Sequence, residues 1–438
     1  MTRPSRDHHP HAGPTTGAEG TGVESTGAES TGAEATCART TLAPWLRVAL
    51  GMFAICFGAN LFAPLLPVMR EVHDLSQAQV NFLLAIYVVG LVPALLIGGP
   101  ASDRRGRRAV VRPALVFSIT GTLVTLTAHF FAGPVSPLIL AGGRMLTGAA
   151  VGLVLAAGAS WLKEVTSPED GAGAAARRAT VATSAGFGIG PLVTGPVAEW
   201  LPGPDTTGPA LHLVMVLVLT PLVWTTPAPP RPAHTPQMRR HRTPLIPPSA
   251  RSRHFLFAVA SWAPWAFGCA TTSFAALAPV AGESVGPVVA YTGLIAGVTM
   301  LTGAVVQPRI GRHADLGASP HPAVLGLATA TVGMLLGIAV TAAAPGAAAW
   351  LMVPTAMVLG TAYGIMMVSG LREVQRIAPT EELGALTGVF YSLTYIGFFA
   401  PFVISLIAPH TGHIPVFTAG AVVAVASVPL VLSVTRRG

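Results

Sequence analysis

Residues 79–108 read QVNFLLAIYVVGLVPALLIGGPASDRRGRR. Residues 79–100 contain no Asp, Glu, Lys or Arg. As a helix rising 1.5 Å per residue they are long enough to cross a hydrocarbon layer roughly 30 Å thick. An isolated strand in lipid would leave its backbone N–H and C=O groups unpaired, so the run reads as a helix. Next come one carboxylate, Asp103, and the arginines 104, 105, 107 and 108, whose charges are costly to hold in hydrocarbon. The stretch is a membrane span leaving the bilayer into a short basic loop.

The same alternation runs outward in both directions. Spans are expected at about 46–69, 79–100, 110–131, 137–162, 178–200 and 209–226, and again at 254–280, 287–307, 321–344, 347–371, 384–408 and 414–435. Only 10% of the residues are charged and 51% are hydrophobic, whereas a soluble chain carries about a quarter charged residues. The net charge of +8 and pI of about 10.2 would suit a nucleic-acid partner, but the positions of the charges argue against one. Loops after spans 2, 4, 6, 8 and 10, with Arg436 and Arg437, hold 20 of the 26 basic residues, and Arg70 alone lies on the opposite side. The positive-inside rule then places both termini and the central linker in the cytoplasm.

Residues 1–44 read as a disordered cytoplasmic tail. Four pentads of the form Thr-Gly-Ala/Val-Glu-x occupy 16–35, and so polar a repeat buries too little apolar surface to offset its ordering entropy. His8, His9 and His11 belong to this solvated tail. Residues 227–253, with eight Pro, six Arg and no acidic residue, read as a cytoplasmic linker. It divides a first bundle, 45–226, from a second, 254–438. Cys37, Cys56 and Cys269 have no metal or redox spacing, so no metal site, disulfide framework or cofactor is expected. The first 44 residues have no apolar core of the kind a cleavable signal carries.

The loop Gly99-Pro-Ala-Ser-Asp103-Arg104-Arg105-Gly106-Arg107-Arg108 resembles the signature of the major facilitator superfamily, Gly-x-x-x-Asp-Arg-x-Gly-Arg-Arg, at every specified position. The resemblance covers about residues 46–435. It implies an all-α membrane protein, with twelve transmembrane helices in two pseudo-symmetric six-helix bundles, that transports instead of catalysing a reaction. It also implies a conformational latch in which Asp103 meets the positive N-terminus of span 11 near Gly384, with Arg104 and Arg107 relaying to Glu164. The related stretch after span 8, Gly311-Arg-His-Ala-Asp315, lacks the following Arg and Gly.

Span 4 carries Arg144-Met-Leu-Thr-Gly148-Ala-Ala-Val-Gly152, similar to the family's Arg-x-x-x-Gly motif. Arg144 is the only Lys or Arg well inside an expected span, since Arg47, Arg112 and Arg178 fall at the first positions of theirs, and a charge held in hydrocarbon marks a functional residue or a structural bond to backbone carbonyls. Span 5 carries Gly186-Phe-Gly-Ile-Gly190-Pro191-Leu-Val-Thr-Gly195. This resembles the antiporter motif of the twelve-helix drug:proton antiporter branch, with one extra residue between Pro191 and Gly195. Gly148, Gly152 and Gly158 recur as Gly360, Gly364 and Gly370, and Pro191 has a mid-span counterpart in Pro401, as expected of repeated bundles around a central site.

No Asp or Glu lies in the middle of an expected span; Glu199 and Glu283 fall near outer ends. That favours a neutral or anionic substrate over a cationic one. Asn60, Tyr87, Trp262, Trp265, Tyr291, Tyr363 and Tyr391, with Phe267 beside them, are the polar and aromatic residues that could line a path for an amphipathic organic molecule. The expectation is a monomeric carrier in the plasma membrane, moving a drug or metabolite outward with protons as coupling ion. An uptake carrier or uniporter on the same fold is the alternative, and a membrane receptor a more distant one. No phosphate-cradling loop followed by Lys-Ser/Thr is present, which argues against ATP as the energy source.

Overall fold

The computed structural model describes residues 42–171, 173–227, 244–315, 321–379 and 381–435. Among the described residues every regular element is a helix. Helix α1 covers Pro44–Asn60, unwinds at 61–65 and resumes over Leu66–Val72. The break falls at Pro64 and Pro67, which cannot donate to the preceding turn. The rest of the first bundle is α2 (Gln77–Arg105), α3 (Arg108–Thr127), α4 (Val135–Val165), α5 (Ala174–Trp200) and α6 (Thr207–Trp224).

The second bundle is α7 (Arg253–Gly282), α8 (Val288–Asp315), α9 (Pro322–Ala342), α10 (Pro345–Ile377), α11 (Leu383–Thr411) and α12 (His413–Thr435). Helix α7 is widened to π geometry at Leu256–Ala260 and Thr272–Leu277. Helix α11 tightens to a 3-10 turn at Ile396–Phe399, just before Pro401. Eleven of the described helices are long and apolar enough to cross a membrane by length and composition, and α1 joins them only when its two pieces are taken together.

The helices overrun several expected span ends. Asp103 and Arg104 form the last turn of α2. Helix α10 continues past residue 371 to Ile377, which draws Glu373 into the protein.

Within the first bundle α4 lies against α2 and α3, and α1 against α5, α4 and α6; within the second, α10 lies against α8 and α9, and α9 against α12. Two seams join the bundles, α5 with α8 and α2 with α11.

Glycine sets the internal repeat. A Cβ on Gly148 or Gly152 of α4 would lie 1.9 and 2.4 Å from the carbonyl oxygens of Tyr87 and Leu91 on α2. A Cβ on Gly360 or Gly364 of α10 would lie 2.2 and 2.5 Å from those of Thr299 and Gly303 on α8. All four pairs share one sequence offset, so α2–α4 and α8–α10 are the same close-packed unit built twice. The next pair diverges, because Gly158 faces Met52 of α1 whereas Gly370 faces Phe390 of α11.

The expected tail lies outside the described residues apart from its last three positions, and so does the linker between 228 and 243. At the linker's end a 3-10 turn over Pro248–Arg251 meets the start of α11, where the Ser249 N–H donates to the Glu382 carboxylate at 3.1 Å.

Candidate functional site

The arginine-rich loop closes on itself. Gly106 ends α2 with φ of +91° and gives its N–H to the Ser102 carbonyl, a backbone state that glycine adopts without steric cost. That turn brings Arg107 back over the helix end. Its Nη1 donates to Asp103 at 2.5 Å and to Ser102 Oγ at 2.9 Å, and its Nε donates to Glu164 of α4 at 3.1 Å. Arg108 and Arg112 donate to the Trp224 carbonyl at the end of α6, where cationic groups suit the negative helix terminus. Arg104 is exposed.

Among the described residues no hydrogen bond joins Asp103 to the start of α11, and a Cβ on Gly99 or Gly384 would meet open space. The structure thus shows the Arg107–Glu164 link but not the Asp103–α11 contact. The second-half loop Gly311–Asp315 ends α8, and its side chains beyond Arg312 lie outside the described residues.

Within α4, Arg144 is only 2% exposed. Its Nε donates to the Leu83 carbonyl at 3.3 Å and its Nη1 to the Ala59 carbonyl at 3.2 Å. The guanidinium lies between the rings of Phe62 and Tyr87, 4.6 and 5.0 Å from their centroids, where the ring faces attract a cation. Its Nη2 has no hydrogen-bond partner, and among the described residues no carboxylate forms an ion pair with it.

Tyr87 continues from Arg144 into an aromatic cluster that crosses between the bundles. Its ring lies 6.0 Å from Tyr395 and 5.3 Å from Phe398 on α11. Phe267 of α7 stacks on Tyr395 at 4.4 Å and meets Tyr363 of α10 at 5.1 Å.

The other sequence candidates stand apart from this cluster. Asn60 donates to the Phe187 carbonyl at 2.8 Å and so ties α1 to α5. The Trp262 indole donates to Ala258 one turn back in its own helix, and the Trp265 ring lies against Gly420 of α12. Tyr291 donates to the Ala349 carbonyl of α10, and Tyr391 sits beside Phe390. Trp265, expected along the path, stands against α12 in this structure.

The glycines of α5 serve two neighbours. A Cβ on Gly186 or Gly190 would lie 2.6 and 2.8 Å from the carbonyls of Phe53 and Phe57 on α1. Gly195 instead meets Gly293 of α8 in the second bundle. Pro191 lies inside an unbroken helix.

Two polar groups were not singled out in the sequence. His212 of α6 is fully buried among Ser118, Thr122 and the Ala54 carbonyl. Glu373 of α10 is 6% exposed and bonds His254 at 2.5 Å and Arg376 at 2.7 Å. Burial pushes the nearby His321 imidazole below its ordinary pKa, with Glu373 pulling the other way. A histidine inside an apolar run was the available signal for His212; Glu373 gave none, being read as loop.

At the end of the molecule opposite the arginine-rich loop, a cavity of about 1190 Å³ opens between the bundles. Arg70, Glu71, Asp74 and Glu283 line it, as do Asn81 and Pro401, whose side-chain amide and carbonyl hydrogen bond across the α2–α11 seam at 3.2 Å.

Comparison with known proteins agrees with this architecture. The family description "Major Facilitator Superfamily" matches residues 48–401. A bacillibactin exporter of Bacillus subtilis (strain 168) is 31% identical over 91 residues, 21% of this chain and 22% of that protein. The match thus spans about a fifth of the relative's length. In fold, the chain is similar to a crystal structure of a D-xylose-proton symporter, with a TM-score of 0.66 at 16% identity over 88% of this chain and 96% of that one. It is also similar to the nucleoside transporter NupG, with a TM-score of 0.68 at 14% identity over 90% and 99% of the two chains. The chain belongs to the major facilitator superfamily: it is a multi-pass membrane transporter of a small substrate, and not an enzyme.

Proposed function

We propose that this transporter moves a small organic drug or metabolite out of the cell across the plasma membrane by alternating access, in exchange for protons, and that the molecule carries a negative charge beside a flat apolar body. The observation that carries the substrate class is Arg144. A buried ion costs several kcal/mol unless it is paired, and here a guanidinium with one free terminal nitrogen has aromatic faces and carbonyls around it but no counter-ion. A substrate anion would supply that counter-ion, since guanidinium presents a planar fork to carboxylate or phosphate. Phe267, Tyr363, Tyr395 and Phe398 would hold the apolar part, and they come from the opposite bundle.

The outward direction rests on the helix-5 glycine-proline stretch and on the partial match to a protein named as an exporter. With the positive-inside rule, the arginine-rich face is cytoplasmic, and the protein works as a monomer. Proteoliposomes loaded with an aromatic carboxylate, under an imposed pH gradient, test the reading. Substrate-triggered proton flow opposite to the anion is expected; anion flux without a proton signal would favour a uniporter, and proton flow in the same direction an uptake symporter.

Asp103 is proposed as the latch of the arginine-rich face, engaging α11 in another state of the cycle. Asp103→Asn is then expected to slow flux roughly three- to thirtyfold, the scale of a carboxylate at a helix terminus. Its thermal unfolding should be unchanged, because the exposed Asp103–Arg107 pair contributes little. Gly99→Ala should likewise leave stability alone, the Cβ meeting open space here, yet slow flux where α11 comes to rest on that residue. Wild-type flux in both variants would remove the latch.

A further inference from the structure

The α5–α8 seam is held at its arginine-poor end by one carboxylate. Glu199, in the last turn of α5, accepts hydrogen bonds at Oε2 from the Val289 N–H at 2.7 Å and the Ala290 N–H at 3.2 Å. Both amides belong to the first turn of α8, which starts at Val288. First-turn amides have no partner in their own helix and carry the positive end of its dipole. Just beneath them two glycines face each other: a Cβ on Gly195 would come within 3.0 Å of the Gly293 Cα, and one on Gly293 within 3.0 Å of the Gly195 Cα, while farther along Leu192 packs on Gly297 and Leu301 on Gly188. Among the described residues no basic side chain forms an ion pair with Glu199. The start of α8 is therefore its electrostatic partner, and that partner lies in the other bundle.

The same relation is laid out at the opposite face. Each six-helix half of this fold contains two three-helix units of inverted topology, so α2 corresponds to α5 and α8 to α11. Asp103 ends α2 as Glu199 ends α5, and α11 begins at the arginine-rich face as α8 begins at the other. In this structure the two carboxylates differ in state. Glu199 is seated on α8, while Asp103 is bonded to Arg107 of its own loop. A carrier that alternates needs one contact that holds when the other is released.

We propose that Glu199 is the positioning residue that latches the α5–α8 side of the arginine-poor face, as the inverted counterpart of Asp103. Seated on the amides of Val289 and Ala290, it closes that side, while the cavity at the same end lies toward α2 and α11 with no α5 residue in its lining; when the bundles rock, it leaves α8 as Asp103 takes α11. The assignment rests on alternating access and not on the substrate or the coupling ion.

Hydrogen–deuterium exchange on the full-length protein in detergent tests it, with wild type, Glu199→Ala, Glu199→Gln and Glu199→Asp compared. In Glu199→Ala, exchange in the peptide containing Val289 and Ala290 should quicken about tenfold or more, the scale of hydrogen bonds to a charged group. Exchange at 383–386, the start of α11 at the far face, should slow as the population shifts. Adding Asp103→Asn should abolish that distant change. Glu199→Gln, an acceptor without charge, should fall between, and Glu199→Asp should restore part of both effects in a folded protein.

Faster exchange at 289–290 with no change at 383–386 would make Glu199 an ordinary helix cap and overturn the latch. Unchanged exchange at both sites would overturn it too. Neither result touches the proposal of proton-coupled export, which the flux experiment decides separately.

Discussion

Replacing Arg144 with leucine is expected to lower substrate flux roughly 30- to 1,000-fold, the range for removing one member of a buried charge pair, while thermal unfolding stays level or rises. The two halves of this expectation have one cause. In the empty protein Arg144 is a buried cation without a counter-ion, and of its two carbonyl partners Leu83 lies inside α2 and Ala59 in the last turn of α1. Removing it leaves no orphaned charge behind and relieves a desolvation cost.

Lysine is expected to be no substitute. A point charge on a flexible stem cannot reach both carbonyls, lie flat between Phe62 and Tyr87 and still present a free N–H to a ligand. Flux and unfolding measured on the same preparations check the prediction. A leucine variant that transports normally would show Arg144 to be structural, and one that unfolds would show that the carbonyl bonds outweigh the buried charge.

The second large effect is on folding. Gly148→Val is expected to destabilise the protein by about 3 kcal/mol or more, enough to prevent recovery of folded material. The new Cβ would stand 1.9 Å from the Tyr87 carbonyl oxygen, and a backbone atom within a packed helix cannot swing aside as a side-chain tip can. Gly360→Val should act alike in the second bundle, where the Cβ would lie 2.2 Å from the Thr299 carbonyl. Detergent-solubilised yield and fluorescence size-exclusion profiles measure both. A profile like wild type in either variant would mean that the α2–α4 or α8–α10 approach is looser than the structure has it.

The glycine pairing also shows how far the repeat could be read from sequence. Gly148 with Gly152 and Gly360 with Gly364 announce two similar helices, but the sequence does not say against what they lie. Leu91 and Gly303, which Gly152 and Gly364 meet at equal offsets, share no side-chain chemistry that would have paired them. What the repeat preserves is a backbone-to-backbone distance, and the side chains above it are free to differ.

Helix placement was legible and helix azimuth was not. The sequence put Arg144 within an expected span and Trp265 among the residues that could line a path, and the structure buries the first and turns the second toward α12. In a soluble helix the polar stripe would show which face is outward. Here lipid and neighbouring helices are both apolar, so the sequence carries little rotational signal. Tyr391, Tyr395 and Phe398 fall at the i, i+4, i+7 spacing of one helix face, yet only Tyr395 and Phe398 join the cluster with Tyr87 and Phe267. Tyr391 and Tyr395 both lie in the regular helical stretch before the 3-10 turn at Ile396, so their spacing alone does not tell them apart.

Glu373 marks the other limit. A carboxylate followed by Arg376 reads as the loop beyond a span, since each charge alone is expelled from hydrocarbon. It becomes admissible inside α10 because His254, 119 residues away, arrives beside it.

By itself the sequence determined that this chain spans a membrane as a series of helices, where the spans lie, and which loop is basic. Those follow from the cost of taking charges and backbone amides out of water, a cost incurred segment by segment. Tertiary structure alone decided that Arg144 stands without a counter-ion, that five aromatic residues from four helices meet across the bundles, and that Glu199 caps a helix in the opposite half. Each depends on the rotation and approach of helices far apart in the chain, which packing sets and which an all-apolar helix does not record.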